Sequence, residues 1–183
     1  LTLKCYYYCN IDLYVTGRII MSNWITAPFE SVEGENLVMC TMRTDVSRFR
    51  ENPRFRFRVE VEWPYEPAAG GMPPESLGHE LEAVVDALQS VLKADPVAVL
   101  TGVYTGNGSR TMVFYTLSLH IFQRKFNEAL ADFPALPLEF EAFEDPDWEE
   151  YGSMLSQVRR VDDELDSGEV LDVDESDDAD ESD

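Results

Sequence analysis

Residues 104–115, YTGNGSRTMVFY, decide how this chain folds, because they hold two glycines and an asparagine between β-forming residues. A nucleotide-binding loop places its glycines between a strand and a helix, so that the helix amino terminus faces the phosphates. Here β-branched and aromatic residues stand on both sides of Asn107-Gly108, and the Gly-Lys-Ser/Thr signature of a P-loop is absent. Asn-Gly suits the positive φ angles of a type I′ turn. The stretch therefore predicts a β-hairpin, with strands over residues 97–105 and 111–117, and no phosphate site.

Upstream of the hairpin, the strictly alternating residues 54–63, RFRFRVEVEW, predict a half-buried strand. One face of this strand carries the apolar side chains Phe55, Phe57, Val59, Val61 and Trp63. The other face carries the charged side chains Arg54, Arg56, Arg58, Glu60 and Glu62. We expect the apolar face to point into the core and the charged face to meet solvent.

One helix is predicted before the hairpin and one after it. Apolar residues recur at helical spacing over residues 74–93, after a loop rich in proline and glycine. A second helix begins after Ser118, a residue type that caps helices, and ends before Pro134. Residues 138–143 then predict a short last strand.

From residue 54 to 143 the order is strand, helix, strand, strand, helix, strand, which is the ferredoxin-like split βαββαβ arrangement. The fold class is therefore α+β, with an antiparallel sheet and both helices on one face. A hairpin with strands near residues 24–31 and 37–44 extends the sheet. A short helix from Asp145-Pro146 to about Gln157 covers an edge or an end of the sheet.

Charge divides the 183-residue chain, whose formal net charge is −22, into a domain and a tail. Residues 161–183 hold thirteen acidic residues and no basic one. Such a segment cannot bury enough apolar surface to offset its chain entropy. We therefore predict a single domain over residues 21–157 and a disordered acidic tail over residues 158–183.

Residues 1–20 begin without methionine and differ in composition from the rest of the chain, so we interpret them as an atypical extension, such as translated upstream sequence. Asp12 and Arg18 interrupt the apolar run that a signal peptide needs. Cys5, Cys9 and Cys40 have too few histidine or cysteine partners to predict a zinc site. Unpatterned cysteines and the absence of a membrane-length apolar run favour a cytoplasmic location.

Few residues have the pattern of a catalytic or metal site. His79 and His120 have no ligand partners at metal spacing, so no metal or cofactor is predicted. Carboxylates gather around Trp148, where they fit either a helix start or an acid, base or metal site. Six arginines between residues 43 and 58 fit a solvated strand face, an RNA-binding strand, or a surface that the acidic tail covers.

The hairpin TGVYTGNGSRTMVFY and the later EDPDWEEY together resemble a bacterial family catalogued as domain of unknown function 695. The resemblance covers residues 24–155. The hairpin matches at Gly102, Thr105, Gly108, Arg110, Phe114 and Tyr115, and the second motif at Asp145, Pro146, Trp148 and Tyr151. It implies a small α+β domain without an established activity. The implied fold is similar to that of the regulator of ribonuclease E activity B, an acidic protein that inhibits a nuclease.

These observations favour a non-enzymatic binding or regulatory domain that contacts a protein partner, with a nuclease or nucleic-acid-binding protein as the natural candidate. One alternative is an enzyme in which Arg110 anchors an anion and Asp145 or Asp147 acts as acid, base or metal ligand. The other is RNA binding through the strand Arg54–Arg58. The candidate binding surface comprises Arg54, Arg56, Arg58, Tyr104, Arg110, Tyr115, Asp145, Trp148 and Tyr151.

Overall fold

A computed structural model of the chain describes residues 23–31 and 36–167. The strands in this part are β1 (Trp24–Glu30), β2 (Leu37–Arg43), β3 (Phe57–Pro64), β4 (Ala98–Gly106), β5 (Ser109–Thr116) and β6 (Glu139–Glu144). The helices in this part are α1 (Ser47–Arg50), α2 (Glu75–Ala94), α3 (Leu119–Ala129) and α4 (Glu149–Ser167). Within these residues no helix is both long and apolar enough to cross a bilayer.

The strands form one antiparallel sheet in the order β1-β2-β4-β5-β3-β6. The segment β4-β5-β3-β6, whose strands are connected through α2 and α3, is the predicted ferredoxin-like unit. The β1–β2 hairpin extends the sheet beside β4, as expected. The predicted α+β class is confirmed.

The first face of the sheet carries α2 and α3, and together they bury the larger apolar cluster. Helix α2 contributes Leu81, Val84, Leu88 and Leu92, whose spacing places them on one side of the helix. In α3, Phe122 and Phe126 pack on Phe114 of β5, with ring centroids 5.2 and 6.4 Å apart. This confirms that both predicted helices lie on the same face.

The second face carries α1 and α4, and α4 differs from its prediction. It runs to Ser167 and packs on β1 and β2 instead of ending near Gln157. The helix is longer because apolar residues continue at helical spacing beyond Gln157. Val158, for example, is fully buried in the second cluster. Residues 158–167 of the predicted tail are therefore helical, whereas residues 168–183 and the predicted extension 1–20 lie outside the described residues.

The alternation predicted for residues 54–63 fails at its start, because β3 begins only at Phe57. Phe55 was expected beside Val59, yet it belongs to the cluster on the second face. A turn causes this change of side, since the Phe55 N–H donates to the Asn52 carbonyl at 3.0 Å. The Phe55 ring instead packs against Phe49, with centroids 5.2 Å apart.

The turn between β4 and β5 has the backbone predicted from Asn-Gly. Asn107 and Gly108 have φ angles of 51° and 82°, as a type I′ turn requires. Gly106, just before them, has φ 147°, and a Cβ added there would lie 2.2 Å from the Leu37 carbonyl oxygen. Glycine at 106 therefore permits the close approach of β2 to the end of β4.

We predict that Gly106→Ala destabilises the protein by about 2 kcal/mol or more, through the strained φ and displacement of β2. Gly78→Ala is the matched control, because a Cβ at this helical position meets nothing within 4 Å. The control should stabilise the protein by about 0.5–1 kcal/mol, because alanine favours helix more than glycine does. Urea unfolding of both variants measures the two effects, and equal stabilities would contradict this account.

Candidate functional site

The candidate site lies on the part of the second sheet face that extends from β5 to β6, away from the strands on which α4 packs. Since Val59 and Val61 of β3 belong to the cluster on the first face, Arg58, Glu60 and Glu62 point to the second. Their direct partners on β6 are Phe143, Glu141 and Glu139. Directly opposed residues share a face, so four glutamates line this surface: Glu60, Glu62, Glu139 and Glu141. We call these four residues the carboxylate ladder.

The carboxylate ladder places like charges directly opposite each other, Glu60 against Glu141 and Glu62 against Glu139. Such pairs destabilise a sheet. Burial raises the pKa of Glu60, and the charges of Glu150, Glu141 and Glu62 raise it further against the opposing effect of Arg58. The negative potential is therefore unfavourable at Glu60, the partly buried member of the ladder.

Arg58 connects the ladder to the start of α4. Its Nε lies 3.1 Å from Glu60 Oε1 and its Nη1 lies 3.3 Å from Glu150 Oε2. Its guanidinium also lies over the ring of Phe143, 4.4 Å from the centroid. The buried Nε makes no aligned hydrogen bond, so its contact with Glu60 is an ion pair only. Arg58 thus neutralises part of the negative charge and is held among carboxylates.

Four of the predicted site residues, Tyr115, Asp145, Trp148 and Tyr151, meet where α4 begins. The Tyr115 hydroxyl donates to Asp145 Oδ2. Asp145 Oδ1 accepts from the Glu149 N–H at 2.9 Å, which satisfies one of the free donors of the first helical turn. The rings of Tyr115 and Trp148 stack with centroids 3.8 Å apart. We call these four residues the helix-start cluster.

The helix-start cluster is also bonded to the sheet and to the turn before β3. The Asp145 N–H donates to the Arg56 carbonyl at 2.8 Å, and the Trp148 Nε1–H donates to the Phe55 carbonyl at 2.8 Å. The Tyr151 hydroxyl donates to the Arg43 carbonyl at 2.7 Å. The hydrogen-bonding groups of these residues are therefore engaged in fixing α4 to the sheet.

Arg110 does not join this cluster. It lies on β5 five positions before Tyr115, and an odd separation in a strand puts the two side chains on opposite faces. Arg110 is buried with Met112 and Phe114 on the side of α2, and its Nε donates to Thr105 Oγ1 at 2.9 Å. The hypothetical enzyme site that combines Arg110 with Asp145 is therefore not assembled.

Tyr104 lies on the second face and borders the ladder. Its hydroxyl donates to the sulfur of Met42 at 3.5 Å. Burial raises the pKa of Tyr104, and the neighbouring Cys40, Glu150 and Glu60 raise it further. Burial also raises the pKa of Cys40 to about 11, so at neutral pH its thiol is protonated and a weak nucleophile.

The remaining arginines of the predicted basic strand do not form an open cationic row. Arg56 Nη2 lies 3.3 Å from Glu144 Oε2, and its guanidinium is 5.9 Å from the Phe57 ring centroid. Arg54 lies in the exposed turn before β3. Within the described residues no group of three or more histidine, cysteine, aspartate or glutamate side chains is arranged to hold a metal ion.

Sequence reasoning does not predict the carboxylate ladder. It expects Glu60 and Glu62 to be solvated and places Glu141 and Glu144 of β6 among the carboxylates around Trp148. The signal that points to the ladder is the pattern EFEAFE of residues 139–144, which alternates acidic and apolar side chains over its first half. Only the register of β6 against β3 shows that these glutamates oppose those of β3.

Comparison with known proteins finds one matching family model. Residues 23–156 match the family of unknown function DUF695, as the resemblance of the two motifs predicted. No curated protein and no solved structure matches the chain.

We predict that the protein loses stability steeply above pH ~10, where unfolded tyrosine ionises. Burial raises the pKa values of Tyr104, Tyr115 and Tyr151 in the folded state, and the Asp145 contact raises that of Tyr115 further. Their stabilisation is complete below the unfolded pKa and is lost as pH rises toward the folded values. Tyr115→Phe should cost about 1–2 kcal/mol at pH 7 and flatten this decline. Urea unfolding between pH 8 and 11 tests both effects, and parallel pH profiles would refute the assignment of Tyr115.

We predict that Glu60→Gln raises the melting temperature at pH 7, because its raised pKa means that the charged form is disfavoured in the folded state. The unfolded pKa is about 4.3, so the gain should shrink as pH falls toward 4 and the wild-type carboxyl is protonated. Glu51→Gln, at an exposed turn, is the control and should change little. Thermal melts at several pH values measure the difference, and a lower melting temperature at pH 7 would contradict the prediction.

Proposed function

Because the chain belongs to the DUF695 family, whose function is unknown, we propose from geometry that it is a binding domain whose carboxylate ladder engages a basic protein surface. The observation that carries this proposal is the pairing of Glu60 with Glu141 and of Glu62 with Glu139 across β3 and β6. A cationic partner would relieve repulsion that the free protein carries. A cytoplasmic, regulatory role without catalysis belongs to the same proposal.

Energetics support a binding role for the ladder. Like charges in direct opposition reduce stability, and polar side chains at these positions would remove the repulsion without disturbing the sheet. Residues that reduce stability are commonly found at functional sites. The net charge of −22 adds a long-range field that speeds encounter with a basic partner.

Nucleic-acid-binding proteins and nucleases present the basic surfaces that such a ladder would attract, which makes them the partner class we favour. RNA itself is a weaker candidate, because its phosphates would meet the four glutamates of the ladder. Arg58, the arginine nearest to the ladder, contacts the carboxylates of Glu60 and Glu150. Against catalysis, the polar groups of the helix-start cluster bond to the backbone and to each other.

Charge reversal on β6 tests the proposal. We expect Glu139→Lys with Glu141→Lys to weaken binding of the natural partner at least about tenfold, because the two lysines offset the charges of Glu60 and Glu62 and leave the ladder without net negative charge. Asp86→Lys with Asp132→Lys makes the same change of net charge at exposed positions in α2 and after α3. This control should bind nearly as the wild type does.

The measurement has two steps. Proteins that co-purify with the wild type from the native host are identified, and the affinity of each purified candidate for the three forms is measured by calorimetry at low and high salt. A partner whose affinity falls equally in both double variants senses only net charge, and one that is unaffected by either binds elsewhere. Either outcome would contradict a role for the ladder.

A further inference from the structure

Beside the carboxylate ladder lies the outer edge of β6. In the described sheet β6 is an edge strand, with β3 as its neighbour on the inner side. Resting on the proposed function, we infer that the basic partner contributes an extended segment that pairs with β6 as an added strand. The segment carries lysine or arginine at alternate positions and apolar residues between them. Strand addition of this kind provides main-chain hydrogen bonds for affinity and alternate side chains for specificity.

The backbone register shows which groups of β6 are available. The Asp145 N–H donates to the Arg56 carbonyl on the side of β3. In an antiparallel pair the residues that bond to the partner alternate, so Phe143, Glu141 and Glu139 also direct their N–H and C=O groups toward β3. Phe140, Ala142 and Glu144 therefore direct theirs to the outer edge, where an incoming strand can bond to them.

Side chains on β6 determine what that strand must carry. Glu139 and Glu141 point to the second face, so residues opposite them in an added strand would be favoured as lysine or arginine. Phe140 points to the first face, where its ring lies 5.1 Å from that of Phe126, yet the residue as a whole remains 53% exposed. An apolar residue opposite Phe140 would cover this ring.

The two ends of the described sheet differ in protection against such pairing. β1 contains Pro28, which lacks the N–H that a neighbouring strand would need. β6 contains no proline, and all six of its residues are exposed. Its glutamates oppose pairing with a second copy of the chain, since each copy carries a net charge of −22, but they attract a basic strand.

Synthetic peptides of alternating lysine and valine test the mode of binding with the full chain. In one version, N-methylation removes every N–H donor along one edge of the peptide. Such a peptide can still turn its other, unmodified edge to β6. A second version therefore carries N-methyl groups on alternate residues of both edges. We expect the parent and the one-edge version to bind with comparable Kd and the two-edge version at least about tenfold more weakly.

The matched protein variants are Ala142→Pro and Ala142→Val. Proline removes an outward N–H without removing a bond to β3, and valine keeps that N–H. We expect Ala142→Pro to lose at least about tenfold in affinity for the parent peptide and Ala142→Val to bind as the wild type does. Circular dichroism establishes that both variants are folded.

The outcomes separate this inference from the proposed function. Equal affinities for all peptides and for both Ala142 variants, with loss only on charge reversal of Glu139 and Glu141, would overturn strand addition and leave the ladder as a binding surface. If charge reversal of Glu139 and Glu141 does not weaken peptide binding, the ladder is not the binding surface and the proposed function is wrong. A wild-type dimer in sedimentation that Ala142→Pro converts to a monomer would show a second copy at the edge and overturn the inference.

Discussion

The junction of Tyr115, Asp145 and Trp148 determines where α4 begins and therefore which part of the second sheet face is covered. It joins the carboxyl end of β5 to the end of β6 and to the turn before β3 through ring stacking and hydrogen bonds. Trp148 adopts φ 57°, a conformation that non-glycine residues rarely take, and its complete burial holds it there. From this point α4 runs over β1 and β2 and leaves the ladder on the other side of the junction.

The two faces of the sheet are stabilised in different ways. On the first face, α2 and α3 bury one continuous apolar cluster against β3, β4 and β5. On the second face, apolar packing under α4 gives way to Tyr104, Arg58 and the carboxylates of β3 and β6. The domain thus combines a stabilising core with a surface where charge repulsion and partial burial both disfavour the ionised form of Glu60.

Local patterns were sufficient to predict most of the fold. Asn107-Gly108 specified the central turn, and helical spacing in α2 and α3 specified the layer on the first face. Phe55 could not be placed correctly, because the turn at Asn52 lies within an otherwise regular alternation. The length of α4 was underestimated because the acidic composition after Gln157 outweighed the apolar spacing that ends in burial of Val158.

The candidate site was harder to predict than the fold, because it depends on register between strands far apart in the chain. The side chains of Arg110 and Tyr115 could have been separated by counting positions along β5. Glu141, by contrast, meets Glu60 only after β6 has paired with β3, and no local pattern specifies that register. Sequence reasoning therefore located the helix-start cluster, whose members are close in sequence or in adjoining motifs, and missed the ladder.

The position of β6 also has a consequence for how the chain folds. β4 and β5 pair through a two-residue turn, whereas β6 reaches β3 only after the whole segment between Phe57 and Glu144 has been enclosed. Closing a long loop carries a larger entropic penalty than closing a short one, so we expect β6 to pair late in folding. Until then β3 is itself an edge strand, and its backbone N–H and C=O groups on that side pair with β6 when it arrives. The same main-chain hydrogen bonding would later allow β6 to pair with a strand from another protein.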